Sequence, residues 1–186
     1  MINFNGQITE PTAHSLSINN RGFAYGDALF ETLKIAKGRV LYWEDHYFRL
    51  MASMRILRME IPMNFTLEFL EEEILRTLNA DKTGNTSARV KLTVMRQEGG
   101  LYDPESNAVD YLISIQPLPE VLYRINPDPC KVDLFKDFYI APGLLSNLKT
   151  NNRILNVVGS IFAAENDFDN CLLLNTDKAV VEGLNA

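Results

Sequence analysis

Cysteine and histidine are scarce, with two of each in 186 residues. Cys130 and Cys171 stand far apart with no CxxC spacing, and neither His14 nor His46 sits in a ligand or nucleophile motif. That excludes the common structural metal sites, so no metal is expected, and it leaves a serine or cysteine hydrolase without support. No glycine-rich dinucleotide fingerprint and no phosphate-cradling P-loop occurs. Lys and Arg total 18 against 24 Asp and Glu, a net charge of −6, with no basic run interleaved with aromatics. Nucleic acid is excluded as a partner on that balance. No apolar run is long enough to span a bilayer, so no membrane association is expected. Met1 to Gly6 lacks the basic and apolar regions of a secretory leader, so free thiols in a reducing cytoplasm are expected.

What is present suits a globular chain. Hydrophobic residues make up 46% of it, enough core for one large domain or two small ones. The opening MINFNGQI alternates around an Asn-Gly turn signal and predicts the start of a sheet. Asn19 to Gly22 reads as a loop. LFETLKIAKGRVLYW reads as two strands split by Lys37-Gly38. A helical period follows, with Tyr47, Leu50, Met51, Met54 and Leu57 as a core stripe and His46, Arg49 and Ser53 on an adjoining face. Ile61-Pro62 ends that helix. Thr66 is placed to cap another, with Leu67, Leu70, Ile74 and Leu78 inward and Glu68, Glu71, Glu72 and Glu73 in solvent. Strands are expected over Ala88 to Met95 and Asp110 to Ile115.

Pro117-Leu-Pro119 favours an extended linker, and a second unit is expected to begin near Val121. Short strands are read at Lys131 to Leu134 and Phe138 to Ile140, and a hairpin joins Cys171–Asn175 to Ala179–Glu182 through Thr176-Asp177. Between them lies GLLSNLKTNNRILN. Ile154, Val157, Val158, Ile161 and Phe162 recur at spacings of three and four and predict the packed face of an amphipathic helix. Lys149 stands just upstream. An amine held there, partly desolvated near a helix N-terminus, has the means to be lowered in pKa, the state a Schiff-base lysine needs.

Two other residues have alternative readings. Arg49, at the edge of an apolar stripe, either snorkels to water or aims its guanidinium at a buried anion. Glu182, at a strand end after Val180 and Val181, is either a solvated carboxylate or a fixed acceptor for a cationic nitrogen. His46 beside Arg49 reads as a boundary pair.

Four motifs, in this order, resemble the fold type IV, or class IV aminotransferase, family of pyridoxal phosphate enzymes. They are Arg21-Gly-Phe-Ala-Tyr-Gly-Asp27 followed by Phe30-Glu31-Thr32, His46-x-x-Arg49-Leu50, Leu148-Lys149 with Asn152, and Val181-Glu182-Gly183. The family includes branched-chain aminotransferases, D-amino-acid aminotransferases and 4-amino-4-deoxychorismate lyases. The resemblance implies pyridoxal 5'-phosphate as cofactor. Lys149 would hold its aldehyde as a Schiff base and then move the substrate proton. Glu182 would pair with the pyridine nitrogen, and Arg49 would hold the phosphate. Tyr25 and Glu31 would lie near the substrate pocket.

The resemblance implies a two-domain α/β fold: an N-terminal α/β sandwich over 1–116, a linker over 117–121, and over 122–186 the first part of a C-terminal pseudo-barrel that family members continue. It also implies a homodimer. The first functional expectation is an aminotransferase acting on a small amino acid and a 2-oxo acid. The alternative is an aminodeoxychorismate lyase releasing pyruvate and 4-aminobenzoate, towards which Asn152-Arg153 leans. A chain that naturally ends at Ala186 would instead be a non-catalytic fragment or binding protein.

Overall fold

A computed structural model of the chain describes residues 1–13, 16–80, 87–119, 123, 125 and 127–185. His14 and Val121 lie outside the described residues. The chain forms two compact units, Met1–Tyr123 with Lys149–Asn151, and Arg124–Leu148 with Asn152–Ala186.

In the first unit β1 (Ile2–Phe4), β2 (Gln7–Thr9), β3 (Ala28–Ala36), β4 (Arg39–Val40), β5 (Ala88–Arg96) and β6 (Val109–Pro117) form one antiparallel sheet in the order β2-β1-β6-β5-β3-β4. Asn5-Gly6 and Lys37-Gly38 make its two tight hairpins, with φ of 49°, 85°, 51° and 74°. Positive φ at both central residues matches the twist of the flanking strands. Alternation along the strands sends Leu29, Leu33, Val90, Leu92 and Ile113 to one buried face. There they meet Leu50 and Met54 of α2 (Trp43–Ile56) and Leu70 and Ile74 of α3 (Leu67–Ala80). Each such side chain contributes roughly 1.5–3 kcal/mol by leaving water.

Three expectations change here. Asn19 to Gly22 is not all loop: Asn20 accepts the Phe23 N–H at 3.1 Å and caps the short helix α1 (Arg21–Ala24). Trp43 opens α2, where its indole N–H donates to the Leu67 carbonyl at 2.9 Å. Glu73 is not in solvent. It is buried on the core face of α3, one position before Ile74, and its carboxylate accepts from Asn3 Nδ2 at 2.8 Å and the Tyr111 hydroxyl at 2.9 Å. Those donors and Arg76 compensate for the lost water.

The second unit is a three-stranded sheet, β7 (Val132–Ile140), β8 (Asn170–Asn175) and β9 (Val180–Gly183), in that order. β7 and β8 run parallel, so the chain must cross over between them, and α4 (Ile154–Glu165) lies in that connection. The two short strands expected at 131–140 are one strand whose register shifts between Phe135 and Ile140. The packed face of α4 also differs from the periodic reading. Ile154, Val157 and Ile161 are more than half exposed, at 73%, 51% and 52%, while Leu155, Val158, Phe162 and the small Gly159 and Ala163 meet Phe135, Leu173 and Leu184. Gly159 permits this approach, since a Cβ there would stand 2.5 Å from Leu184 Cδ2.

Candidate active site

β4 is short and pairs only with Ile35 and Ala36, leaving the flank of β3 at Ala28–Phe30 uncovered by it. Residues 149–151 fill that flank. Phe30 N–H donates to the Lys149 carbonyl at 2.9 Å, Asn151 N–H donates to the Ala28 carbonyl at 3.0 Å, and Thr150 bridges Leu29 antiparallel. Lys149 is thus held as sheet backbone in the first unit. Its side chain is half-buried, with Nζ 5.3 Å from the centre of the Phe30 ring. Lys91 reaches the same ring at 4.8 Å. Burial lowers the Lys91 pKa, and the charge of Arg89 lowers it further.

Next to Phe30, Glu31 points to the opposite, helix-covered face and is 1% exposed. One turn of α2 supplies its partners, because His46 and Arg49 are three apart and share a helix face. Arg49 Nε donates to Glu31 Oε1 at 2.7 Å, Arg49 Nη2 donates to Oε2, and His46 Nδ1 lies 2.8 Å from Oε2. Burial raises the Glu31 carboxyl. The hydrogen bonds from Arg49 and His46 and the charges of Arg49 and Lys149 outweigh that and hold it below its ordinary 4.5. It is therefore an anion at neutral pH. The Arg49 side chain remains 46% exposed, and none of these bonds uses Nη1. The result is a forked cation pinned along one edge and open along the other.

The structure therefore gathers Lys149, Arg49 and Glu31 in one unit. Tyr25 belongs to a different set. Its ring lies under the Arg21 guanidinium at 5.0 Å and 5.6 Å from the Tyr102 ring, and it lines an open cavity of about 480 Å³ with Arg21, Asp27, Arg58, Arg96 and Tyr102. Glu182 belongs to the second unit. There its Oε1 accepts from Asn156 Nδ2 at 3.3 Å and stands 3.7 Å from Arg153 Nη1. Among the described residues no cluster of His, Cys, Asp and Glu could hold a metal ion, and no helix is long and apolar enough to cross a membrane. Sequence reasoning overlooked the bond between His46 and Glu31, whose only sequence signal is the three-residue spacing to Arg49. It also overlooked Asn156 beside Glu182 and the buried cluster around Asp27, which no local pattern announces.

Residues 28–186 match the family described as amino-transferase class IV. The chain belongs to that family. Aminodeoxychorismate lyase of Vibrio harveyi is 26% identical over 92% of this chain and 61% of its own length. The solved structure of 4-amino-4-deoxychorismate lyase from Pseudomonas aeruginosa is 28% identical, with a TM-score of 0.78, over 99% of this chain and 64% of that one. Branched-chain aminotransferase from the thermophilic archaeon Thermoproteus uzoniensis, solved with norvaline, shares the fold at 17% identity and a TM-score of 0.82, over 98% of this chain and 62% of that one. The chain thus spans about six-tenths of the length of these class IV proteins. The fold is that of the fold type IV enzymes.

The residues present fit a phosphorylated pyridine aldehyde. A half-buried primary amine is fixed on a sheet flank, and the open edge of Arg49 suits a dianionic phosphate, which a fork matches in shape as well as charge.

Proposed function

We propose that this class IV protein is a pyridoxal phosphate enzyme that moves a proton at the α-carbon of an amino-acid substrate, with Lys149 as the proton carrier. The observation that carries the reading is the pair of backbone bonds, one at Lys149 and one at Asn151, that tie this segment to β3, the strand whose Glu31 braces Arg49. When bound, the cofactor supplies an electron sink for the charge left on the substrate carbon. Lys149 would hold the aldehyde, and its free amine would take and return the proton at the substrate α-carbon. Arg49 would hold the phosphate through its exposed edge, while Glu31 and His46 keep that guanidinium from swinging away. Glu182 would keep the ring nitrogen protonated, and Tyr25 is assigned to the substrate side.

The overall reaction we assign is transamination between a small amino acid and a 2-oxo acid. Lyase action on aminodeoxychorismate is the second reading, supported by Asn152-Arg153 and by the 28% identity to the Pseudomonas lyase. A cytoplasmic homodimer completes the proposal. The free thiols Cys130 and Cys171 and the exposed Phe23, Leu101 and Tyr102 agree with it, and a gel-filtration mass of one chain would overturn the dimer.

The test is borohydride reduction of the protein mixed with pyridoxal 5'-phosphate, followed by peptide mapping. The adduct is expected on Lys149, and K149A is expected to lose it and at least ~10²-fold of any turnover. An adduct on another lysine would sink the reading. Glutamate or a branched amino acid should convert the bound cofactor to its amine form if the enzyme transaminates, whereas 4-aminobenzoate release without that conversion assigns the lyase.

A further inference from the structure

The Arg21-to-Asp27 motif does more than lead into β3. Asp27 Oδ2 accepts from Arg21 Nε at 3.0 Å and from Arg96 Nε at 2.9 Å, and both guanidiniums are almost fully buried. The remaining donors of the two arginines reach widely separated parts of the first unit. Arg21 Nη1 donates to the carbonyls of Gly99 and Leu101 at 3.0 and 2.6 Å. Arg96 Nη2 donates to the Leu57 carbonyl at 2.7 Å, just past the end of α2, and Arg96 Nη1 reaches Asn107. The Asp27 carbonyl also accepts the Arg96 N–H at 3.3 Å. One carboxylate therefore gathers α1, the end of β5, the 99–101 loop and the end of α2 at the first residue before β3.

The next residue is Ala28, whose carbonyl holds Asn151. The backbone that carries Lys149 is thus hydrogen-bonded to β3 immediately beyond the point that Asp27 clamps.

We infer that Asp27 is a positioning residue for Lys149: by binding Arg21 and Arg96 together it fixes the start of β3, and through Ala28 and Phe30 it fixes the 149–151 segment. A frayed β3 start would leave the Ala28 carbonyl and Phe30 N–H no longer aligned for that segment, and the amine would lose its address. Its relevance to chemistry rests on the proposed role of Lys149, but the backbone coupling does not.

The experiment is residue-resolved amide hydrogen exchange on the whole chain as wild type, D27N and D27E, alongside borohydride trapping of pyridoxal 5'-phosphate. In D27N the Phe30 and Asn151 amides are expected to exchange roughly tenfold faster while the β5–β6 ladder keeps its protection. Trapping at Lys149 is expected to fall by a similar factor, and D27E should recover part of both. Unchanged Phe30 and Asn151 protection would overturn the inference, as would a parallel loss throughout the sheet. If D27N does not fold, R21K, which keeps the charge and loses the fork, is compared with D27E in the same way. An adduct mapping to another lysine in wild type would overturn the role of Lys149 alone, since the exchange comparison still decides the coupling.

Discussion

The first unit covers one face of its sheet with two helices and gives its buried carboxylates partners. Asn3 and Thr77 share donors and acceptors with Glu73, Glu31 has Arg49 and His46, and Asp27 has two arginines. Among the described residues the second unit has three strands, one α-helix and a small core of Phe135, Ala163, Cys171, Leu173 and Leu184, while Val180 and Val181 of β9 and much of α4 stay exposed. The contrast teaches that apolar content is not core. The second unit has the hydrophobic residues but turns many of them outward, so local stability is concentrated where the lysine backbone is tied.

Core truncation probes that contrast with the largest expected effect. I74A, at a fully buried position of α3, should cost about 2–5 kcal/mol in urea unfolding. I161A, half exposed on α4, should stay within about 0.5 kcal/mol. Equal losses would break the comparison. Next comes E31Q, which removes the charge bracing Arg49 and should cost about 1–3 kcal/mol. Its acid behaviour gives a sharper sign. A carboxyl held below its ordinary 4.5 contributes its full stability above that pH and loses it as pH falls from there through the lowered value. Wild type should therefore lose stability below about pH 4.5 more steeply than E31Q, and parallel acid curves would deny Glu31 that role. The smallest of these effects expected in a packed region is G159A, about 1–2 kcal/mol from pressing a methyl against Leu184, measurable as a lowered unfolding midpoint of the second unit.

The legible parts of the fold were those governed by local periodicity. β3, β5 and the two hairpins follow from alternation and from Asn-Gly and Lys-Gly, and the existence of α2 and α3 follows from their apolar stripes. Reading failed where a distant residue decides. Glu73 looks like one more solvated glutamate until Asn3 and Tyr111 are brought to it from the sheet. The packed face of α4 was misjudged because glycine and alanine, which carry no periodic signal, are what let the helix sit close. In the site, Lys149 and Arg49 stood out through motif order, whereas the tie between residue 149 and β3 joins positions too far apart in sequence for any spacing to reveal.

The seat of that lysine has a second consequence. A bare strand flank offers N–H and C=O groups to any passing chain, and such templates are how sheets stack into insoluble assemblies. By lying along Ala28–Phe30, the three residues 149–151 keep that flank closed to strangers, so the segment that bears Lys149 also shields an edge from such stacking.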